Sequence, residues 1–122
     1  VCSGVNVKTM KGGGGIVENI DFENIEVDWA IREAVRISMK YTGEPLDDQS
    51  QANHHMPVVR NFYIENFLCH RSLRATNICG VKNYEIQNVT VRNSTIHSEE
   101  SGVIENVKGL TWENVALLQN FD

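Results

Sequence analysis

With 122 residues, 41% hydrophobic and 22% charged, the chain has the length of a single domain and enough apolar side chains for a core. Its net charge of −5, with basic residues scattered among acidic ones, excludes the basic surface that a nucleic-acid-binding protein requires. No apolar run approaches the ~18 residues that cross a bilayer, and no basic amphipathic helix is visible. We therefore expect neither a nucleic-acid partner nor a membrane partner.

The amino terminus carries no recognisable signal. Val1 opens the chain without a methionine, a charged segment or an apolar leader. Because the residues that follow already have the pattern of a strand, we expect a fragment or a processed product of a longer protein. We treat residues 1–122 as one domain.

A strand-like segment, VNVK, and a glycine run at Gly12–Gly15 come first. The glycine run lacks the GK[ST] sequence and the helix of a phosphate-binding loop, so we expect no nucleotide-binding site there. After it, one phrase of eleven residues recurs four times, as VENIDFENIEV, VRNFYIENFLC, VKNYEIQNVTV and VKGLTWENVAL, starting at Val17, Val59, Val81 and Val107. Self-similarity of this kind is the signature of a repeat architecture.

Each phrase predicts two short strands that meet at an asparagine. Ile20 and Phe22 alternate with polar residues, and after Asn24 the apolar positions resume at Ile25 and Val27. Asparagine tolerates the left-handed backbone that such a bend needs. Stacking the phrases predicts four inward columns and a bend column of Asn24, Asn66, Asn88 and Asn114. The inward columns are Ile20, Phe62, Tyr84, Leu110; Phe22, Ile64, Ile86, Trp112; Ile25, Phe67, Val89, Val115; and Val27, Cys69, Val91, Leu117.

The bend asparagines lie 42, 22 and 26 residues apart. An interval of 22 to 26 residues suits one coil of a β-helix with three sheets, and the longest interval is one coil plus an insertion. The polar, aperiodic stretch Gly43–Met56 predicts an inserted surface loop. Residues Ile31–Tyr41 complete the coil through alternating Val35, Ile37 and Met39, although their apolar spacing also permits a helix.

The sequence thus predicts an all-β parallel β-helix, a solenoid of about four coils. The carboxy-terminal ALLQNFD is apolar enough to fold back over one end. The other end would expose strand edges, so we expect a homo-oligomer in which a second copy covers it.

Few residues outside the repeat offer chemistry. Cys2, Cys69 and Cys79 have no metal-site spacing and predict buried thiols, with a Cys69–Cys79 bridge as the alternative. His54 and His55 fall in the polar loop without partner ligands, so we expect no metal and no cofactor. Asn88 and Asn93 begin glycosylation sequons; if Asn88 lies in an interior bend column, only Asn93 can carry a glycan.

The phrases GIVENIDFENIEV, GVKNYEIQNVTVRNS and GVIENVKGLTWENV, together with VNVKTMKGGGG, resemble the polygalacturonases, the pectin-cleaving enzymes of glycoside hydrolase family 28. The resemblance spans nearly the whole chain and matches only the carboxy-terminal part of that family. It implies a right-handed β-helix, a secreted or periplasmic location, and inverting hydrolysis of a polygalacturonate-like polysaccharide, in which one carboxylic acid protonates the leaving oxygen and another activates water.

The family's catalytic motifs, Asn-Thr-Asp and Gly-His-Gly, do not occur here, so we expect no catalytic residue. Asp47-Asp48 is an acidic pair, but it follows the lysine strand and falls in the loop, which favours a solvated charge. The resemblance assigns substrate binding to Lys8 and Tyr41. It also assigns it to Asn6, where the family has an arginine whose bidentate grip asparagine cannot replace.

Three functional interpretations follow. The first is an inactive carboxy-terminal fragment of a polygalacturonase-like hydrolase. The second is another pectin or rhamnogalacturonan hydrolase, favoured by the departure at Asn6. The third is a non-catalytic binding or assembly module whose open coil edge is the functional surface.

Overall fold

The structure is a computed structural model that describes residues 1–8, 15–39 and 57–119. Eight strands follow one another: β1 (Val5–Lys8), β2 (Ile16–Val27), β3 (Ala30–Ser38), β4 (Val58–Cys69), β5 (Ser72–Cys79), β6 (Ile86–Ser98), β7 (Glu100–Glu105) and β8 (Val107–Gln119). The expected loop Gly43–Met56, with Asp47, Asp48, His54 and His55, lies outside the described residues, as do Tyr41 and Gly12–Gly14.

All pairings between these strands are parallel, and they form two sheets. The first sheet has the order β1-β3-β5-β7 and the second has β2-β4-β6-β8, so the chain passes from one sheet to the other at each step. Within the described residues there is no helix, and accordingly none long and apolar enough to span a bilayer. The all-β, parallel architecture expected from the sequence is therefore confirmed.

The helical alternative for the segment after Trp29 is wrong, because residues 30–38 form strand β3. Val35, Ile37 and Met39 are all buried, as their alternation predicted. Two branched residues in that alternation favour a pleated strand over a helix, since their side chains lose rotamer freedom against a helical turn.

Asparagines bend the long strands of the second sheet. Among the described residues, every non-glycine residue with a positive φ is an asparagine; the nine are Asn19, Asn24, Asn61, Asn66, Asn83, Asn88, Asn93, Asn106 and Asn114, with φ from 51° to 70°. Asparagine adopts this region at lower cost than other side chains because its short amide can bond locally. The bends do not end the strands: β2, for example, continues through Asn19 and Asn24. Both arms therefore belong to one sheet, which is why the structure has two sheets where the sequence suggested three.

The register confirms the first two phrases and corrects the third. Ile20 pairs with Phe62 and Val27 with Cys69, as expected. Phe62, however, pairs with Val89 rather than Tyr84, which is 43% exposed. The third phrase is IQNVTVRNSTI, displaced by five residues from the sequence match. The error arose because asparagines recur every five residues here, so the same pattern fits twice.

The inner columns follow from this register. They are Ile20, Phe62, Val89, Leu110; Phe22, Ile64, Val91, Trp112; Ile25, Phe67, Ser94, Val115; and Val27, Cys69, Ile96, Leu117. Ser94 is the polar exception, and it is satisfied in place. Its Oγ accepts a hydrogen bond from the Phe67 backbone N–H at 3.1 Å and donates to the Arg92 carbonyl at 2.8 Å. The two middle rungs are buried, while the first and last are only partly buried, apart from Leu117 of the last rung, which is exposed.

Two asparagine columns replace the single one expected. Asn61 donates from Nδ2 to Asn19 Oδ1 at 3.1 Å, and Asn88 donates to Asn61 at 3.1 Å. In the second column Asn66 donates to Asn24 at 2.7 Å and Asn114 donates to Asn93 at 2.8 Å. Asn88 therefore belongs to the first column and Asn93 to the second.

Three smaller predictions concern the carboxy-terminal end, the cysteines and the glycosylation sequons. Ala116–Gln119 do not fold back over the core, because they continue β8 in register with β6; residues 120–122 lie outside the described part. No disulfide joins Cys69 to Cys79, and both thiols are buried, as the simpler expectation had it. Asn88 and Asn93 are both exposed, so burial does not separate the two sequons.

Candidate functional site

The strand that carries two of the expected substrate-binding residues is the edge strand of the first sheet. Asn6 is exposed in β1, between the buried core residues Val5 and Val7. Lys8 ends the same strand and pairs in register with Ser38. Tyr41, the third expected residue, lies outside the described residues. The structure thus places Asn6 and Lys8 on one strand, separated by a single core residue.

Arg36, which the sequence reasoning missed, stands directly beside Asn6. The two residues are register partners in β1 and β3, and Arg36 Nη1 donates a hydrogen bond to Asn6 Oδ1 at 3.4 Å. The next strand continues this row with Asn77. The signal was present in the alternation of Val35 and Ile37, which fixes Arg36 between two buried positions. This alternation could not connect Arg36 with Asn6, because nothing in the sequence predicts that β1 pairs with β3.

Arg36 also belongs to a charged cluster, here defined as Glu33, Arg36, Arg74 and Glu100. Glu33 is 2% exposed, and its Oε2 lies 3.3 Å from Arg74 Nη1. Its other oxygen, Oε1, is 3.8 Å from Arg36 Nε and has no hydrogen-bond partner among the described residues. Arg74 Nε in turn lies 3.2 Å from Glu100 Oε2.

The cluster follows from the register of three strands. Glu33 pairs with Arg74 and Arg74 with Glu100, so opposite charges alternate along one column of the first sheet. Burying a carboxylate is costly unless cations accompany it, and here two guanidiniums do. Glu33 therefore holds Arg74 by a hydrogen bond and lies at ion-pair distance from Arg36. A guanidinium held this way is preorganised for bidentate contact with a carboxylate or phosphate group.

A shallow groove of about 190 Å³ lies on the second sheet. Asp21, Glu23, Tyr63, Glu65, Thr90 and Arg92 line it. Tyr63 is 47% exposed and offers an aromatic face. The three carboxylates outnumber the single arginine, whose Nε lies 3.5 Å from Glu113 Oε2. This groove repels an anionic ligand and suits a neutral or cationic one.

A third group sits where the chain leaves the second sheet. Ligand atoms of Glu26, Asp28 and His70 lie within 4.8 Å of one another, and all three side chains are exposed. His70 Nε2 is 2.7 Å from Glu26 Oε2, so a hydrogen bond between the two side chains accounts for their approach. The sequence analysis assigned no metal ligand here, because His70 lies 44 residues after Glu26 in the chain.

Of the cysteines, Cys69 has a perturbed thiol. Burial raises the pKa of Cys69 above its ordinary value, although hydrogen bonds with the backbone and Ser72 partly oppose the effect. Its Sγ donates to the Arg71 carbonyl oxygen at 3.3 Å. A thiol kept protonated in this way is a poor nucleophile, so Cys69 is a core residue rather than a catalytic one.

Comparison of the chain with protein-family models, with curated proteins and with solved structures finds no match. The resemblance to the polygalacturonases therefore remains an expectation from sequence phrases. The charged cluster beside Asn6 is the feature of the described residues that can best test it.

Proposed function

We propose that the chain is the carboxy-terminal part of a right-handed parallel β-helix from a polygalacturonase-like glycoside hydrolase that acts on pectin or a related polyuronide outside the cell. Strands that alternate between two parallel sheets support a solenoid of four coils. By itself the chain binds polyuronide but does not cleave it, because inverting hydrolysis requires a positioned acid and base.

The observation that carries the proposal is the position of Arg36. A polyuronide presents one carboxylate on each sugar, and a guanidinium recognises such a group with two parallel hydrogen bonds. Asn6 cannot supply this contact, but Arg36 is its register partner and lies within 3.4 Å of it. The first sheet therefore retains a guanidinium on the row of Asn6, contributed by the neighbouring strand.

Each residue of the site has a distinct task. Arg36 contacts the sugar carboxylate, and the resemblance adds Lys8, at the end of the neighbouring strand β1, as a second substrate-binding residue. Glu33 does not touch the substrate; it positions Arg36 and Arg74 from its buried place between them. Residues of the longer protein supply the general acid and the general base.

Binding of oligogalacturonate, measured by calorimetry, tests this proposal. A charge-assisted contact contributes about 1.5–3 kcal/mol, so Arg36→Ala should weaken binding by about tenfold or more. Arg92→Ala is the matched control, because Arg92 also has a carboxylate partner but lies on the second sheet. Neutral galacto-oligosaccharides lack the carboxylate, so Arg36→Ala should leave their binding unchanged. Equal binding by wild type and Arg36→Ala would refute the assignment, and release of reducing sugar by the chain would refute its inactivity.

Two other functions are each supported by one observation. Asn6 in place of arginine favours another pectin or rhamnogalacturonan hydrolase, which a panel of oligosaccharides would identify. The partly buried apolar residues of the first and last rungs favour a non-catalytic assembly module, in which a second copy covers an open coil end as a homo-oligomer.

A further inference from the structure

The described residues present two different end surfaces. The first end is defined by Ile20, Phe22, Ile25 and Val27 of β2, and the last end by Leu110, Trp112, Val115 and Leu117 of β8. All but Leu117, which is 46% exposed, are partly buried and pack against the core from one side. Their counterparts in the middle rungs are buried, with the same spacing along the strand. An additional rung in parallel register would complete the core at either end.

The asparagine columns give the stack a direction. In each of the four amide pairs, the later residue donates from Nδ2 and the earlier one accepts with Oδ1. Asn24 therefore faces the first end with its amide donor, and Asn114 faces the last end with its carbonyl acceptor. The last end complements the first end, whereas neither end complements itself.

The charged side chains also favour contact between the last end of one copy and the first end of another. One column runs Glu18, Arg60, Gln87, Lys108, and within it Arg60 Nε lies 2.6 Å from Glu18 Oε2. Placing the first end of a second copy on the last end sets its Glu18 beside Lys108. The same placement sets Glu23 of the second copy beside Glu113, a repulsion that Arg92 reduces from 3.5 Å away.

A symmetric contact between two first ends is less favourable. It brings together the acidic side chains of β2, which are Glu18, Asp21, Glu23 and Glu26, on both copies. It also sets amide donors against amide donors in the Asn24 column.

We propose that the chain self-associates head to tail, with β2 of one copy pairing in parallel with β8 of the next. Asn24 of the incoming copy donates to Asn114, and Phe22 packs on Trp112. The inference concerns the 122-residue chain itself, gives a polarity to the assembly module described above and does not depend on pectin binding. In the longer protein of the proposed function, a preceding coil would take the place of the second copy on the first end. Because the contact joins unlike surfaces, it does not close at two copies and produces a concentration-dependent series of oligomers.

Blocking each end separately tests the polarity. Phe22→Glu places a charge on the first end and Leu117→Glu places one on the last end; Tyr63→Glu, on the second sheet's exposed groove, is the control. In sedimentation, wild type and Tyr63→Glu should form species larger than a dimer. Each end variant alone should remain a 13.8 kDa monomer. An equimolar mixture of the two end variants should give a one-to-one dimer, since each retains the surface that the other has lost.

Other outcomes overturn the proposal. Dimerisation of Leu117→Glu alone would indicate a symmetric contact through the first ends, and dimerisation of Phe22→Glu alone a symmetric contact through the last ends. A wild type that stays monomeric at all concentrations would exclude self-association. If circular dichroism shows either variant unfolded, Ile16→Glu on β2 and Leu118→Glu on β8, at positions 59% and 45% exposed, repeat the test on the same two strands. Oligogalacturonate binding is a separate readout, so failure here leaves the proposed function standing.

Discussion

Gly102 gives the sharpest test of how closely the strands of the first sheet stack. Its φ is +94°, and a Cβ at this position would overlap the Thr76 carbonyl oxygen and lie 3.0 Å from the Thr76 backbone nitrogen. Thr76 and Gly102 are register partners in β5 and β7, so neither can move without disturbing the pairing. Gly102→Ala should therefore separate the two strands.

Gly15 provides the matched control. It has a similar φ of +86°, but a Cβ there would meet nothing within 4 Å. Gly15→Ala carries only the cost of an unfavourable backbone region, about 1–3 kcal/mol. Gly102→Ala carries a similar cost and also the cost of overpacking against backbone, about 1–3 kcal/mol. The expected difference in the free energy of unfolding between the two variants is thus about 1–3 kcal/mol.

Urea denaturation followed by circular dichroism measures this difference. Both variants should keep the far-ultraviolet spectrum of a β protein, with Gly102→Ala unfolding at a clearly lower urea concentration. Equal stability of the two variants would mean that β7 does not pack on β5 as described.

Three further predictions concern the bends and the core. Asn66→Gly should lower the free energy of unfolding only by the lost amide hydrogen bond to Asn24, about 0.5–1.5 kcal/mol. Asn66→Ala should lower it by about 1–2 kcal/mol more, because the φ of 54° is unfavourable for alanine. Gln87→Ala is the exposed control, and an equal loss of stability in both Asn66 variants would contradict the role of the bend. Cys2 should react with a thiol reagent at once and Cys69 only on unfolding; fast labelling of Cys69 would contradict its burial. Because the folded pKa of Cys69 is raised, the stability that its protonated thiol contributes should be complete below the ordinary thiol pKa of ~8.5 and decrease as the pH rises through the folded value, as urea midpoints across alkaline pH would show.

Much of the fold was accessible from the sequence, because a period of two and a recurring asparagine are local properties. Ile20 and Phe22 alternate with acids, and this alone fixes which face of β2 points inward. The parallel arrangement followed from stacking the phrases. The number of sheets did not, because a bend at Asn24 interrupts the alternation without interrupting the hydrogen-bonded pairing.

The third rung shows why register is harder than pattern. Tyr84 and Val89 are both followed, two residues later, by a branched apolar residue, and an asparagine precedes each of them. The pairing partners decide between the two readings, since Val89 is fully buried against Phe62 whereas Tyr84 is exposed. That competition is set by packing between strands far apart in the chain, which a single phrase does not encode.

The site was predicted less completely than the fold. Asn6 could be singled out as a departure from arginine, but its neighbour Arg36 could not, because 30 residues separate them. Glu33 was missed for a different reason. A glutamate in a strand reads as a solvated charge, and its burial appears only when Arg74 and Arg36 are brought beside it.

The register of the third rung underlies the inner columns, the asparagine columns and the two end surfaces, so a cross-link across it is the most direct test. In a Cys2→Ser background, Tyr63→Cys with Thr90→Cys places two cysteines at register partners, where adjacent strands are about 4.8 Å apart and a disulfide can form. Tyr63→Cys with Glu85→Cys tests the alternative register, in which these two positions would be partners. In the observed register Glu85 lies five residues before Thr90, the partner of Tyr63, or about 16 Å of extended chain away. Rapid oxidation of the first pair and not the second is the expected result; efficient oxidation of the second pair alone would contradict the stacking described here.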